Sequence, residues 1–216
     1  MKKLLVAFVA AVLSASVFAG EFHLGAYFPV TKLDIDLDED LGDDDFDASG
    51  FGIKFDYTHI TDSNFTWKVG TAIGYTRSGD IVDEADEKKG GLDYDVGAGF
   101  GWTFINDPKM TLSLTGNVGT HMLYFSVSES EYESGVKITY DAKATTYLFY
   151  IGPEVTFTYR FTDKLGAYAG LGIYYSFGST SLDYKVSGGG FSYSDNDSYW
   201  TDGFIYMPSL GVSWKL

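Results

Sequence analysis

The 216-residue sequence has no cysteine, four prolines and three histidines. Without Cys there is no disulfide framework, no thiolate zinc site and no lipidated N-terminal cysteine. Basic residues are scarce as well: 15 Lys and Arg stand against 30 Asp and Glu, a formal charge of −15. That balance excludes a nucleic-acid partner, because polyphosphate needs a basic surface. There is also no apolar run long enough to cross a bilayer as a helix. What is plentiful is glycine, 26 residues, and aromatic side chains, 18% of the chain. That pairing is unusual for a soluble enzyme and incompatible with a disordered chain.

The N-terminus is not part of the fold. Lys2 and Lys3 precede an apolar run from Leu4 to Leu13, and a Ser/Ala stretch ends in Val17-Phe18-Ala19. This is the layout of a secretory signal peptide, and the apolar run is too short for a membrane anchor. Cleavage is expected after Ala19, giving a mature domain of residues 20–216 with net charge −17.

From Gly20 onward the apolar residues recur every second position, which is strand spacing. Phe22, Leu24, Ala26, Phe28 and Val30 share one face of the first segment; Glu21, His23, Gly25 and Tyr27 share the other. Seven further segments repeat the pattern, with one face aromatic and aliphatic and the other Gly, Thr, Ser and charge. Short turns at 61–64, 106–109 and 162–164 alternate with long polar connectors at about 31–47, 78–90, 126–142 and 179–202. The expectation is an all-β fold: an eight-stranded antiparallel up-and-down transmembrane β-barrel with four long acidic extracellular loops.

Two arguments turn the apolar face outward. It is too bulky for a small lumen, whereas a bilayer accepts it. Charge is also partitioned: the four connectors hold 22 acids and 5 bases, while strands and short turns hold eight of each. A membrane-embedded body needs that neutrality, because charge at depth is costly unless paired or enclosed. Aromatics gather at both ends, with Tyr57, Trp67, Trp102, Tyr159 and Trp214 towards the short turns, as interfacial girdles do.

On these residues the mature chain resembles the small eight-stranded outer-membrane barrels: opacity-type, OmpX-like and OmpW-like proteins. The C-terminus adds to the resemblance, since Gly211, Trp214 and Leu216 are similar to the assembly signal of such proteins, although Leu replaces the commoner Phe. The resemblance implies an integral outer-membrane protein with periplasmic termini. Its partners would be outer-membrane lipid, lipopolysaccharide and, during biogenesis, the barrel-assembly machinery.

Three residue groups are candidate sites. Glu21, Lys54, Asp56, Lys68, Asp93, Asp95, Glu154, Arg160 and Lys215 fall on the inward face, where about eight strands leave room only for a paired network or one small ligand. Tyr27, Leu123, Phe125, Leu148, Tyr150, Tyr174, Ile205 and Met207 are inward but less polar, and either plug the upper lumen or line an apolar pocket; Gly50, Gly52 and Gly74 opposite them leave space. Asp34, Asp36, Asp38 and Asp40 alternate as calcium ligands can, but an EF-hand from Asp36 requires Gly at 41, and that residue is Leu. A solvated acidic loop is the favoured reading, with weak divalent bridging to lipopolysaccharide phosphates the lesser one.

No cofactor is expected, and no enzyme. His121, with Ser126, Ser128 and Glu129 after it, reproduces no nucleophile–base spacing, and a hydrogen-bonding lumen histidine is the simpler role. The expected function is that of a non-enzymatic surface protein whose acidic loops make structural, adhesive or host-facing contacts with an extracellular protein. The OmpW-like resemblance implies an alternative: a small hydrophobic molecule enters the upper lumen and leaves through a seam at Pro29 and Pro208. Those two prolines and Pro153 are otherwise expected to mark strand ends at the membrane surface.

Overall fold

The computed structural model describes residues 20–36, 43–78, 90–133 and 136–216. The proposed signal peptide, Asp38 and Asp40 lie outside them. The described residues form nine strands: β1 (Glu21–Tyr27), β2 (Val30–Asp36), β3 (Asp43–Ile60), β4 (Phe65–Ser78), β5 (Gly91–Asn106), β6 (Met110–Glu133), β7 (Val136–Arg160), β8 (Leu165–Gly188) and β9 (Phe191–Lys215).

Each strand pairs antiparallel with its neighbours, and β1 and β2 both lie between β3 and β9 in one continuous register. The ring therefore has eight positions, the first of them broken in two. Pro29 is the cause. Gly50 N donates to Pro29 O at 2.9 Å and Phe28 N donates to Pro208 O at 2.9 Å, but neither proline has an N–H to return. The prolines thus interrupt the wall rather than mark its edge, since β7 and β9 run on past Pro153 and Pro208.

Following partners round the ring fixes the stagger. His23, Asp56, Gly70, Gly97, Gly119, Tyr150, Ser176 and Gly203 lead back to Leu33, ten residues along the strand from the start. With about 3.3 Å per residue and about 4.8 Å between strands, that shear tilts the strands by about 40°. The backbone radius is then about 8 Å, enough for packed side chains and no open channel.

The apolar face points outward. Phe51, Ile53, Phe100 and Trp214 are about three-fifths exposed (62%, 61%, 59% and 59%), while their neighbours Lys54, Gly99 and Ser213 on the opposite face are buried. Tyr57 differs from its neighbours at 3% exposed, because Phe22 and Trp67 pack against it with ring centroids 5.1 and 5.3 Å away.

The short turns are built from side chains that cap their own backbone. Asp107 Oδ1 accepts from Lys109 N and Met110 N, both at 2.8 Å, and Thr162 Oγ1 accepts from Leu165 N at 2.9 Å. At the opposite end, two of the expected loops are strand. β6 pairs with β7 as far as Glu133 and Val136, and β8 pairs with β9 as far as Gly188 and Phe191. Gly189 and Gly190 close the second hairpin with φ of 56° and 90°, the two positive angles that a type I′ turn demands. The connector around 31–47 is also partly strand, since β2 and β3 pair to Asp36 and Asp43. Serines and acids in these stretches read as loop, yet Val, Ile, Tyr and Phe at every second position keep the strand going.

Candidate functional site

The lumen holds three tiers of polar side chains beneath an apolar lid. At the short-turn end Arg160 grips Glu21 with two donors, Nη2 to Oε2 at 2.8 Å and Nε to Oε1 at 3.3 Å. Arg160 Nη1 also donates to the Asp107 carbonyl at 3.2 Å, tying the pair to a turn. His23 stands 3.9 Å from Glu21 and stacks on Tyr168, centroids 4.6 Å apart. Beside them a hydroxyl ladder runs from Thr66 through Thr103 to Ser113 at 2.6 and 2.8 Å.

The middle tier is centred on Glu154. Its Oε1 accepts Lys54 Nζ at 2.9 Å and lies 2.7 Å from Lys68 Nζ, and its Oε2 accepts the Tyr174 hydroxyl at 2.6 Å. Asp56 completes the group, 3.4 Å from Lys54 and 3.9 Å from Lys68. Two cations thus face two carboxylates, all buried. Burial at this depth requires that pairing, because an unpaired ion costs several kcal/mol.

In the upper tier His121 lies between two carboxylates, Nε2 at 3.4 Å from Asp93 and Nδ1 at 3.8 Å from Asp95. Tyr27 donates to Asp93 Oδ1 at 2.5 Å and Tyr150 donates to Asp95 Oδ1 at 3.3 Å. Both ring nitrogens of His121 and both facing Oδ2 atoms are buried without a hydrogen-bond partner. The histidine expected to hydrogen-bond is instead held at ion-pair distance. Lys215, expected in the network, is exposed at the end of β9: its chain is past the rim, with its N–H bonded to the Lys164 carbonyl at 2.8 Å.

Above this tier the apolar inward residues pack on one another. Tyr27, Leu123, Phe125, Leu148, Tyr150, Tyr174, Ile205 and Met207 form one buried cluster with Leu33, Phe46, Ala48, Ala72 and Ala144. Of the glycines expected to leave space, Gly52 and Gly74 are where Tyr27 rests, whereas Gly50 lies against the Tyr75 carbonyl and Thr76, and other glycines seat the remaining tyrosines. A Cβ on Gly52 would meet the Tyr27 ring, one on Gly97 or Gly119 would meet Tyr150, and one on Gly172 would meet Tyr174. Among the described residues, a void of about 10 Å³ lies lower down among Lys54, Asp56, Lys68 and Glu154, and another of about 10 Å³ among Glu21, His23 and the threonines. Each has room for about one water.

The remaining candidates are not brought together. Ser128 lies outside the lumen, donating to Asp141 at 2.6 Å, while His121 faces inward, so no nucleophile meets a base there. Asp34 and Asp36 lie exposed on β2. Among the described residues no three His, Asp or Glu side chains are grouped to hold a metal ion. In the C-terminal motif, Gly211 faces Gly25 across the closing seam, where a Cβ would strike the Leu24 carbonyl. Leu216 N donates to the Gly20 carbonyl at 2.9 Å and ends the ring. His23, Tyr168, Asn117 and the threonine ladder were not singled out from sequence, although their inward parity was readable.

No protein-family model matches the sequence, and no curated protein is significantly similar to it. Among solved structures, the chain is similar to a major outer membrane protein from Thermus thermophilus, at 12% identity, over 88% of this chain and 99% of that one, with a TM-score of 0.51. It overlays more loosely on Ail, the attachment invasion locus protein of Yersinia pestis, at 12% identity over 91% and 100% of the chains and a TM-score of 0.40. A similar overlay relates it to the outer membrane protein AlkL, at 13% identity over 92% and 91% and a TM-score of 0.42. The chain has the fold of a small outer-membrane β-barrel.

Proposed function

We propose that the protein is an integral outer-membrane protein displayed at the cell surface, where its projecting hairpins make structural or adhesive contacts without enzymatic chemistry. The observation that carries this reading is the contrast between the two ends of the molecule. The lumen is filled by paired charges and packed tyrosines, while β6, β7, β8 and β9 continue as strands past the barrel wall. A filled barrel offers no path to solutes; a sheet beyond the membrane offers a surface.

The outward apolar band and the fold shared with a major outer membrane protein support the membrane placement. On this reading the short turns and both termini are periplasmic, the acidic hairpins are extracellular, and lipid, lipopolysaccharide and the barrel-assembly machinery are partners. Excising residues 126–141 and 181–198 while keeping the wall should abolish surface contacts of whole cells and leave membrane assembly intact. Unchanged contacts would end the reading.

A second reading is favoured by one feature, the lapse of hydrogen bonding on both sides of the β1–β2 break, at Pro29 against Gly50 and at Pro208 against Phe28. Passage of a small hydrophobic molecule would need the tyrosine lid to move and this seam to part. Uptake of such a probe, equal in cells with and without the protein, would remove it.

A further inference from the structure

The hairpins have two unlike faces. Above the last pairing of β5 with β6, at Leu92 and Tyr124, strands β6 to β9 form a four-stranded sheet that extends the wall. Side chains that alternate inward in the barrel stay on the inner face of this extension. There Tyr140 stands opposite Val186 and Val186 opposite Tyr193, with Ile138, Gly188 and Phe191 in the next row and Tyr184 below. Tyr193, Phe191 and Tyr184 are exposed. Contiguous exposed aromatics of this kind mark an interaction surface.

Charge is sorted between the same two faces. Lys137, Lys143 and Lys185 all fall on the outer face, where Asp183 stands opposite Lys143 and Asp141 opposite Lys185. The inner face carries Glu131, Asp195 and Asp197, and no Lys or Arg among the described residues. These acids alternate with the rings: Asp195 stands opposite Tyr184 and Asp197 opposite Leu182. Asp195 accepts the Tyr193 hydroxyl at 2.8 Å, and that bond together with the carboxylate's charge holds the phenol above its ordinary pKa. The face is apolar, electron-rich and anionic, and its complement is cationic and apolar. Ammonium or guanidinium groups gain from both the carboxylates and the tyrosine rings, while aliphatic side chains cover the rest.

We propose that the inner face of this projecting sheet docks a cationic segment bearing apolar side chains, presented by another protein. The proposal rests on the reading of the hairpins as a contact surface and names the chemistry of what they contact.

The test uses the full barrel in neutral phosphatidylcholine nanodiscs and labelled peptides of alternating lysine and valine, lysine and serine, or glutamate and valine. The lysine–valine peptide should bind, and each of the other two should bind at least about tenfold more weakly. The pair Tyr184→Ser and Tyr193→Ser should weaken lysine–valine binding by about tenfold, as should the pair Asp195→Asn and Asp197→Asn. Lys143→Ser, on the outer face, should not weaken it. Equal binding of the lysine–valine and lysine–serine peptides would overturn the proposal, as would undiminished binding by the inner-face variants. Concentration-dependent dimers lost in the Tyr184/Tyr193 pair would make a second copy the occupant and equally overturn it. If hairpin excision abolishes cell-surface contacts while the inner-face variants retain them, the surface reading stands and this inference falls. If excision changes nothing, the surface reading itself falls.

Discussion

The Tyr27 hydroxyl donates to Asp93 Oδ1 at 2.5 Å, from β1 to β5 across the barrel interior, and its ring fills the space over Gly52. One side chain thereby plugs the lumen and supplies a donor to a buried carboxylate. The residues that interlock this way come from strands far apart in sequence.

Adding a side chain under that ring should therefore destabilise the barrel. Gly52→Val places carbons against Tyr27 and against the Ile73 carbonyl, and overpacking of this kind costs about 1–3 kcal/mol. Tyr27→Phe keeps the ring and removes the donor from Asp93, a loss of about 1–3 kcal/mol for a buried acceptor. Urea unfolding in lipid vesicles, followed by heat-modifiable migration on gels, measures both. Wild-type midpoints for the two variants would show that the lid is not packed as described.

Glu154 is expected to be the most sensitive position in the lumen. Glu154→Ala leaves Lys54 and Lys68 with Asp56 alone, and breaking a buried ion pair costs about 3–5 kcal/mol. Lys215→Ala, at an exposed strand end, should leave stability unchanged. The difference between the two midpoints tests the division of the charged residues into lumen and rim.

Labelling tests the inside–outside register. Cysteine at Leu171, on the lipid face, should resist aqueous maleimides in intact membranes, while cysteine at Ser194, in the β9 hairpin arm, should react from outside the cell. Equal labelling of the two positions would invert or abolish the proposed topology.

The seam makes a prediction in the opposite direction. Pro208→Ala supplies an N–H facing the Phe28 carbonyl, and Pro29→Ala supplies one facing Gly50. Each restored hydrogen bond should stabilise the wall by about 0.5–1.5 kcal/mol and slow amide exchange at Phe28 and Gly50. If hydrophobic molecules leave by this seam, the same variants should lower uptake of an alkane-like probe; unaltered uptake removes the seam as an exit.

The wall segments, the inward and outward faces, the positions of the short turns and the partition of charge are legible in the residues alone. All of these follow from a period of two along the chain, a local property that Phe51, Ile53 and Lys54 display within four residues. What fills the lumen is set by contacts between strands distant in sequence. Whether Tyr27 meets Gly52 and Asp93, or His121 falls between two aspartates, depends on a stagger of ten residues accumulated around the ring. Parity along one strand carries no record of that stagger. The same distinction accounts for Lys215, whose inward parity could not tell how far the wall extends, and for the two prolines, which interrupt different seams: Pro29 lacks a donor towards Gly50 on β3, and Pro208 lacks one towards Phe28 on the other side of the first ring position. It also accounts for the hairpins. Ser, Asp and Gly made residues 179–202 read as loop, but cross-strand pairing on neighbours already held in the barrel carries β8 and β9 outward to Gly188 and Phe191. Local propensity sets where a strand can form, and an existing template sets how far it continues.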